Sequence, residues 1–340
     1  MIKLSERLNA MEESATLAMS RKSRELKAQG KDVISLSLGE PDFFTPQFIK
    51  DAAIEAMNNN FTMYTPVPGY DDLREAICRK FERDNGLMYT KDQIVVSTGA
   101  KQSIANVVLS LIGEGDEVVI PAPYWVSYLE IVKVAEGVPV VISAGIENDF
   151  KISGKELEAA ITPRTKLMIF STPCNPTGTV YTKEELRDLA DVIRKYPDLV
   201  VICDEIYEHI NFIGKHESLA QFDDVYDQVV TVNGMSKAWA MTGWRLGYIG
   251  APKIIADACT KIQGQFTSGT CSITQKASIA ALNADPSVLE EMIQAFNRRR
   301  HLVLKALNEI PGVKANVPVG AFYIFPDVSS YFGKSHGEYK

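Results

Sequence analysis

Residues 233 to 248 read NGMSKAWAMTGWRLGY, directly after the β-branched run Val229 Val230 Thr231 Val232. That run has the composition of a buried strand, and Asn233 and Gly234 turn the chain out of it. Lys237 therefore stands just past a strand end, among Trp239, Met241 and Trp244. A lysine is ordinarily a solvated surface charge, and two readings account for one here. Either its stem packs on a tryptophan while the ammonium snorkels to water, or the amine is desolvated. Desolvation lowers a lysine pKa by about 3 to 5 units and leaves a neutral nucleophile able to form a Schiff base.

Working outward from this stretch, short β-branched runs alternate with amphipathic helices. Strands are expected at 93–97, 117–121, 138–143, 166–171, 199–203, 229–232 and 246–250. Ser153 with Glu156, and Thr182 with Glu185, have capping-box spacing. The second of these helices buries Leu186, Leu189 and Ile193 before Pro197 stops it, and another begins at Asp71, with Leu73, Ile77 and Phe81 on one face and Gly86 as its cap. This alternation predicts an α/β chain with a mostly parallel central sheet and flanking helices. From about Ser287 to Asn308 the spacing of Leu289, Met292, Phe296 and Leu304 predicts one long helix, and VKANVPVGAFYIFPDV (313–328) reads as two strands of a second layer. A boundary near residue 285 follows, with a large domain over 46–285 and a smaller α+β unit made of 1–45 and 286–340.

The 340 residues are 46% hydrophobic with a formal net charge of −7, enough for a large core and a second smaller one. The acidic balance, the lack of a Lys/Arg block and the lack of a helix-turn-helix or basic arm before residue 30 argue against nucleic-acid binding. Small molecules are the expected partners. No apolar run approaches the ~20 residues that span a bilayer, and MIKLSERLNAMEES lacks the apolar core of a signal peptide, so neither a membrane partner nor export is expected and the cytoplasm is the expected location. Cys78, Cys174, Cys203, Cys259 and Cys271 are scattered without a CxxC pair, and His209, His216, His301 and His336 show no ligand spacing. No disulfide framework and no metal site are expected. No GxGxxG follows the first strand, which counts against a nicotinamide dehydrogenase.

In an open parallel sheet, ligands bind beyond the carboxyl ends of the strands. After VVST, Gly99 Ala100 Lys101 lead into a helix, either as a plain turn or as a helix amino terminus that offers N–H groups to a phosphate. After IFST, the prolines of Pro173 Cys174 Asn175 Pro176 hold Asn175 at the sheet edge, where its amide can donate to an oxyanion. Asp204 emerges from LVVIC either as a cap or as the partner of a cationic ligand. Trp125 is either core or a stacking surface. Arg245, between Trp244 and Leu246, is expected to be buried and hence to need an anion, which its fork takes best as a phosphate, with the Ser236 hydroxyl beside it. A carboxylate about 4 Å from a protonated ring nitrogen is worth on the order of 4 kcal/mol at an effective dielectric of 20. Asp204 and Lys237 are thus the complementary pair that pyridoxal phosphate requires.

SLGEPDF, YTPVPGYDDLREAI, STGAKQS, PAPYWVSY, TPCNPTG, CDEIYEH, NGMSKAWAMTGWRLGY and GAFYIFPDV occur in that order. Together they resemble the class I and II aminotransferases of pyridoxal-phosphate fold type I, nearest the bacterial aspartate aminotransferase branch, over essentially the whole chain. The resemblance implies that Lys237 carries the cofactor through a Schiff base and then moves protons. It further implies that Asp204 pairs with the ring nitrogen, that Asn175 and Tyr207 bind the phenolic oxygen, and that Trp125 stacks on the ring. Gly99, Ala100, Ser236 and Arg245 would cup the phosphate, and Tyr64 would reach the phosphate of a neighbouring subunit, which makes a homodimer with shared active sites. Gly39 would lie against the substrate carboxylate, with Trp125 and Asn175 also at the substrate, and Lys101 would contact the distal carboxylate of a dicarboxylic substrate.

The implied reaction is ping-pong transfer of an amino group from an L-amino acid, aspartate first, to a 2-oxo acid such as 2-oxoglutarate. Aromatic or prephenate-like substrates, or a lyase or synthase reaction on the same fold, are the alternatives. Family members continue for some tens of residues past GAFYIFPDV and supply there an arginine for the substrate α-carboxylate. The sequence stops at Lys340 without it, so a truncated chain with poor cofactor binding or slow turnover is expected.

Overall fold

A computed structural model describes residues 2–335. Seven strands, β1 (Ile94–Ser97), β2 (Glu117–Ala122), β3 (Val138–Ser143), β4 (Thr165–Ser171), β5 (Val200–Asp204), β6 (Val229–Gly234) and β7 (Gly247–Gly250), form one sheet in the order β1-β7-β6-β5-β4-β2-β3. All seven fall within two residues of their expected bounds. The pairings among β6, β5, β4, β2 and β3 are all parallel, while β7 runs antiparallel to both its neighbours, β1 and β6.

The β-branched runs form strands because both faces of the sheet are covered. Val96, Met168, Phe170, Val201, Cys203 and Val229 enter one core, together with Leu73 and Ile77 of the helix Asp71–Lys80 and Leu186 and Leu189 of the helix Lys183–Ile193. The alternate residues Val95, Leu167, Ile169, Ile202 and Val230 enter the other, against the helices Ala100–Leu111, Ser127–Val134 and Lys253–Phe266. Only the edge strand β3 is partly exposed along its length.

Both capping boxes form. Ser153 and Thr182 accept from the N–H groups of Glu156 and Glu185, whose carboxylates accept in return from the cap N–H groups. The helix from Asp71 relaxes into a π turn over Phe81–Asn85 and ends at Gly86 in the left-handed region.

Two departures concern the later part of the chain. The long helix Glu290–Asn308 is present, preceded by a single 3₁₀ turn. The two strands expected in 313–328 are not. That segment makes only isolated bridges, Lys314 to Asp327 and Asn211 to Gly320. Pro318 and Pro326 remove two of the N–H groups a ladder needs. The segment instead threads along the main unit: Phe212 N–H donates to Val319 O, Ala321 N–H to Ile210 O, and Val319 and Gly320 N–H both to Gly178 O. Near the amino end, Asp42 pairs with Arg299 at 2.6 Å and Phe43 meets Phe296 edge-on, while Glu12 N–H reaches Glu130. Among the described residues no helix is long and apolar enough to cross a membrane, and all five cysteines are unpaired.

A buried charge network lies behind β5. Lys80 and Glu208, 2% and 4% exposed at their side chains, form an ion pair, and Asn85 bridges them by accepting from Lys80 (2.8 Å) and donating to Glu208 (2.8 Å). Burial alone would push the Glu208 carboxyl up. The ammonium of Lys80, with His209 and His216, outweighs burial and holds it at about 2. This contribution is present above the ordinary value of 4.5 and is lost as pH falls toward 2. Replacing Lys80 by methionine strands a buried carboxylate and is expected to cost about 3 to 5 kcal/mol in a urea titration at pH 7. A loss below about 1 kcal/mol, the range of exposed pairs, would show that the pair is not structural.

Candidate active site

The ends of β4, β5 and β6 lie side by side, with Ser171 opposite Asp204 and Asp204 opposite Val232. Asp204 closes β5 at 4% exposure. Its Oδ2 accepts from the Tyr128 hydroxyl at 2.7 Å and its Oδ1 from Ile206 N–H at 3.2 Å. The chain after Asp204 is a turn, so the acid does not cap a helix. Burial pushes its carboxyl up to about 6, and these two hydrogen bonds and the charge of Lys237 keep it from rising further.

Lys237 sits in the turn after β6, and its Nζ donates to Gly39 O at 2.6 Å. The ammonium lies 5.7 Å from the Tyr207 ring centroid and 5.9 Å from that of Phe322. Burial lowers its pKa to about 8; Glu40 and Asp204 oppose the shift and Arg245 adds to it. The amine is therefore desolvated rather than snorkelled. Its apolar walls are not the neighbouring tryptophans: Trp239 and Met241 are in the core, and the Trp244 indole N–H donates to Thr45 Oγ1.

Asn175 and Tyr207 reach the same place from different strand ends. The Tyr207 and Tyr323 hydroxyls are 2.6 Å apart, and Asn175 Nδ2 donates to the Tyr323 hydroxyl at 3.4 Å. Gly39 lies against that hydroxyl so closely that a Cβ there would stand 2.1 Å from it.

At the other side of the site, Gly99 caps the helix Ala100–Leu111 with φ of 87°. A Cβ on Gly99 would come within 2.2 Å of the Arg245 guanidinium, so the position accepts only glycine. Arg245, itself at φ 55°, donates to Thr242 O (2.8 Å) and Thr98 O (3.4 Å). Contrary to expectation it is exposed. Its left-handed backbone swings the side chain away from the core of Trp239 and Leu246 and across the open amino end of the helix. Among the described residues no carboxylate lies within ion-pair distance of it. Ser236 is buried at the base of the same loop. Lys101 is exposed, with its ammonium 4.8 Å over the Trp125 ring, and Trp125 meets Tyr128 edge-on. Tyr64 is wholly exposed and joins none of these groups within the single chain.

Tyr128, Phe322 and Tyr323 were not singled out as site residues by the sequence, although PAPYWVSY and GAFYIFPDV contain them. Of the histidines, His209 is half-buried beside Glu208 and His216 is buried beside Glu205. His336 lies outside the described residues.

A buried acid, a desolvated amine and an anion-seeking arginine at adjacent strand ends are what a transaminase site contains, and the chain belongs to the aminotransferase class I and II family, whose model matches residues 31–336. It is 51% identical to an aspartate/prephenate aminotransferase of Nitrosomonas europaea, over 96% of this chain and 83% of that protein. It is 48% identical to the bifunctional aspartate aminotransferase and glutamate/aspartate-prephenate aminotransferase of Petunia hybrida, over 98% and 70%. The fold superimposes on the aspartate aminotransferase of Rhizobium meliloti with a TM-score of 0.96 at 41% identity, covering 100% of this chain and 86% of that one. For the Thermus thermophilus aspartate aminotransferase with maleate the TM-score is 0.94, also at 41% identity, covering 98% and 87%. The chain is thus an aminotransferase of the pyridoxal-phosphate-dependent class, on the fold type I architecture.

The residues present fit that cofactor. Asp204 is a buried carboxylate whose own contacts include no cation at bonding distance, and Arg245 is a cation held only by carbonyls. The space between Gly99 and Arg245 is one that a single Cβ would close. Each of these is costly or incomplete in the protein alone and is satisfied by a ligand with a cationic ring nitrogen and a phosphate.

Proposed function

We propose that this chain transfers the amino group of L-aspartate to a 2-oxo acid such as 2-oxoglutarate, with pyridoxal 5'-phosphate as cofactor. The observation that carries the chemistry is the amine of Lys237, brought to a pKa of about 8 by burial and aimed at Gly39 between two aromatic rings. Bound there, the cofactor supplies a carbonyl that condenses with amines and a ring that withdraws electrons from the substrate α-carbon. Lys237 would hold the cofactor covalently, and its amine would carry a proton from the substrate α-carbon. Asp204 would keep the ring nitrogen protonated, Asn175 and Tyr207 would donate to the phenolic oxygen, and Trp125 would cover the ring. Arg245, Ser236 and the N–H groups of Gly99 and Ala100 would hold the phosphate, and Gly39 would present its backbone to the substrate carboxylate.

The dicarboxylate preference rests on Lys101, whose exposed ammonium stands over Trp125 at the mouth of the site, and is supported by the names of the relatives. Replacing Lys101 by serine is expected to raise KM for aspartate about 10- to 100-fold, the worth of one charge-assisted hydrogen bond. KM for a neutral amino acid should change little, and an equal rise for both substrates would remove Lys101 from the distal-carboxylate role. The complete exposure of Tyr64, together with the exposed Arg245, supports a homodimer in which Tyr64 of one subunit completes the phosphate site of the other. The assignment as a whole is tested by absorbance between about 360 and 430 nm of the cofactor-loaded protein, titrated with aspartate and with tyrosine. Loss of the band with aspartate alone is the expected result, and no band with Lys237 intact would overturn it.

A further inference from the structure

The segment 318–323 runs between two walls of the site and is tied to both. Val319 and Gly320 donate to Gly178 O on the turn that carries Asn175, while Phe212 donates to Val319 O and Ala321 to Ile210 O on the turn that carries Tyr207. A Cβ on Gly178 would come within 2.4 Å of Pro318, and one on Gly320 within 2.6 Å of Pro173, so the three strands of backbone are in close contact. What this clamp delivers is the Tyr323 hydroxyl, between Tyr207 (2.6 Å) and Asn175 (3.4 Å).

We infer that Tyr323 is a positioning residue of the transamination site, whose hydroxyl, itself held by Asn175, orients the Tyr207 donor toward the cofactor's phenolic oxygen. The inference rests on the role proposed above for those two residues. Donor chemistry fixes the first of these hydrogen bonds, and the inferred role selects the direction of the second. An amide nitrogen only donates, so Asn175 gives a proton to the Tyr323 oxygen. Either hydroxyl of the Tyr207–Tyr323 pair can donate to the other; with Tyr323 as the donor, the Tyr207 proton is free to point out of the pair. Successive hydrogen bonds polarise one another in a low-dielectric setting, and both tyrosines are largely buried, so Tyr207 becomes the stronger donor for having Tyr323 behind it. The aromatic ring of Tyr323 has a separate, structural part, packing on Phe322 and Tyr207.

The test is Tyr323→Phe, which keeps the ring and deletes the hydroxyl, in cofactor-loaded enzyme. Donation to the phenolic oxygen stabilises its anionic form, so weakening that donation should raise the midpoint of the cofactor's absorbance titration, by about 0.4 to 1 unit for one ordinary hydrogen bond. The turnover number should fall several-fold with KM for aspartate little changed. Because Tyr323 acts through Tyr207, the double variant Tyr207→Phe/Tyr323→Phe should titrate where Tyr207→Phe alone does. An unmoved midpoint in Tyr323→Phe, or shifts that add in the double variant, would overturn the inference while leaving the transaminase reading intact. Failure of that reading shows instead as a wild-type protein with no titrating band. Circular dichroism of each variant confirms that the comparison is between folded proteins.

Discussion

Lys237→Ala is expected to lower the transamination rate by at least about 10⁴-fold, because in the proposed mechanism one side chain serves for both the covalent attachment and the proton transfer. The structure shows why no neighbour substitutes. The amine is held by Gly39 O and by the faces of Tyr207 and Phe322, and of the described groups near it only Glu40, Asp204 and Arg245 carry charge. Arg245 does not give up a proton, Asp204 is committed to Tyr128 and Ile206, and Glu40 accepts from the Thr242 hydroxyl. Borohydride reduction followed by mass spectrometry should find the cofactor on Lys237 in the wild type and on no residue of the variant. Retention of more than about one per cent of the wild-type rate would assign the proton transfer elsewhere. In the cofactor-free protein the amine should label with an electrophile along a curve whose midpoint is about 8, below the ordinary lysine value of 10.5.

Asp204→Asn is expected to act in opposite directions on activity and on stability. A carboxylate about 4 Å from a ring cation contributes on the order of 4 kcal/mol at an effective dielectric of 20, so its loss should slow turnover about 10³-fold. Without the cofactor the same carboxylate is a burden. Burial raises its pKa from 3.8 to about 6, which means the folded chain favours the protonated form. The resulting penalty is fully present above about pH 6 and disappears as pH falls through 3.8, and it amounts to about 3 kcal/mol at neutral pH. An asparagine can still accept from Tyr128 without carrying charge. Cofactor-free Asp204→Asn should therefore resist urea better than the wild type at pH 7.5, and the two should converge near pH 4. Equal stability at pH 7.5 would mean that the buried acid is already compensated within the chain.

Much of this arrangement is written in local sequence. The β-branched runs locate every strand, because a strand covered on both faces tolerates little else. Lys237, Asp204 and Asn175 stand out because packing alone seldom calls for a charged or rigidly held polar residue at the end of a buried strand. What escapes a local reading is set by distant contacts. Tyr128 and Tyr323 look like ordinary core tyrosines until the fold sets one against Asp204 and the other between Tyr207 and Asn175. Arg245 is expected to be buried because its neighbours Trp244 and Leu246 are apolar, and a single left-handed backbone angle reverses that. The residues from 313 to 328 have the composition of strands, but their pairing partners are loops of the main unit, and no local pattern records that.

The reversal of β7 has its own consequence. Because β7 returns antiparallel to β6, residues 235–246 leave and re-enter the sheet at one edge, where Gly247 pairs with both Gly234 and Ser97. The amine of Lys237 and the guanidinium of Arg245 are therefore borne on one short loop anchored at both ends in the most buried part of the molecule. Given the roles proposed for Lys237 and Arg245, that loop would act as a ruler: the span from the point of covalent attachment to the phosphate would be measured off by local backbone and insulated from movements of the outer segments. Changes of substrate preference can then accumulate around Gly39 or in the Lys101 side chain without recalibrating that span. Insertions between 235 and 246 have no such freedom.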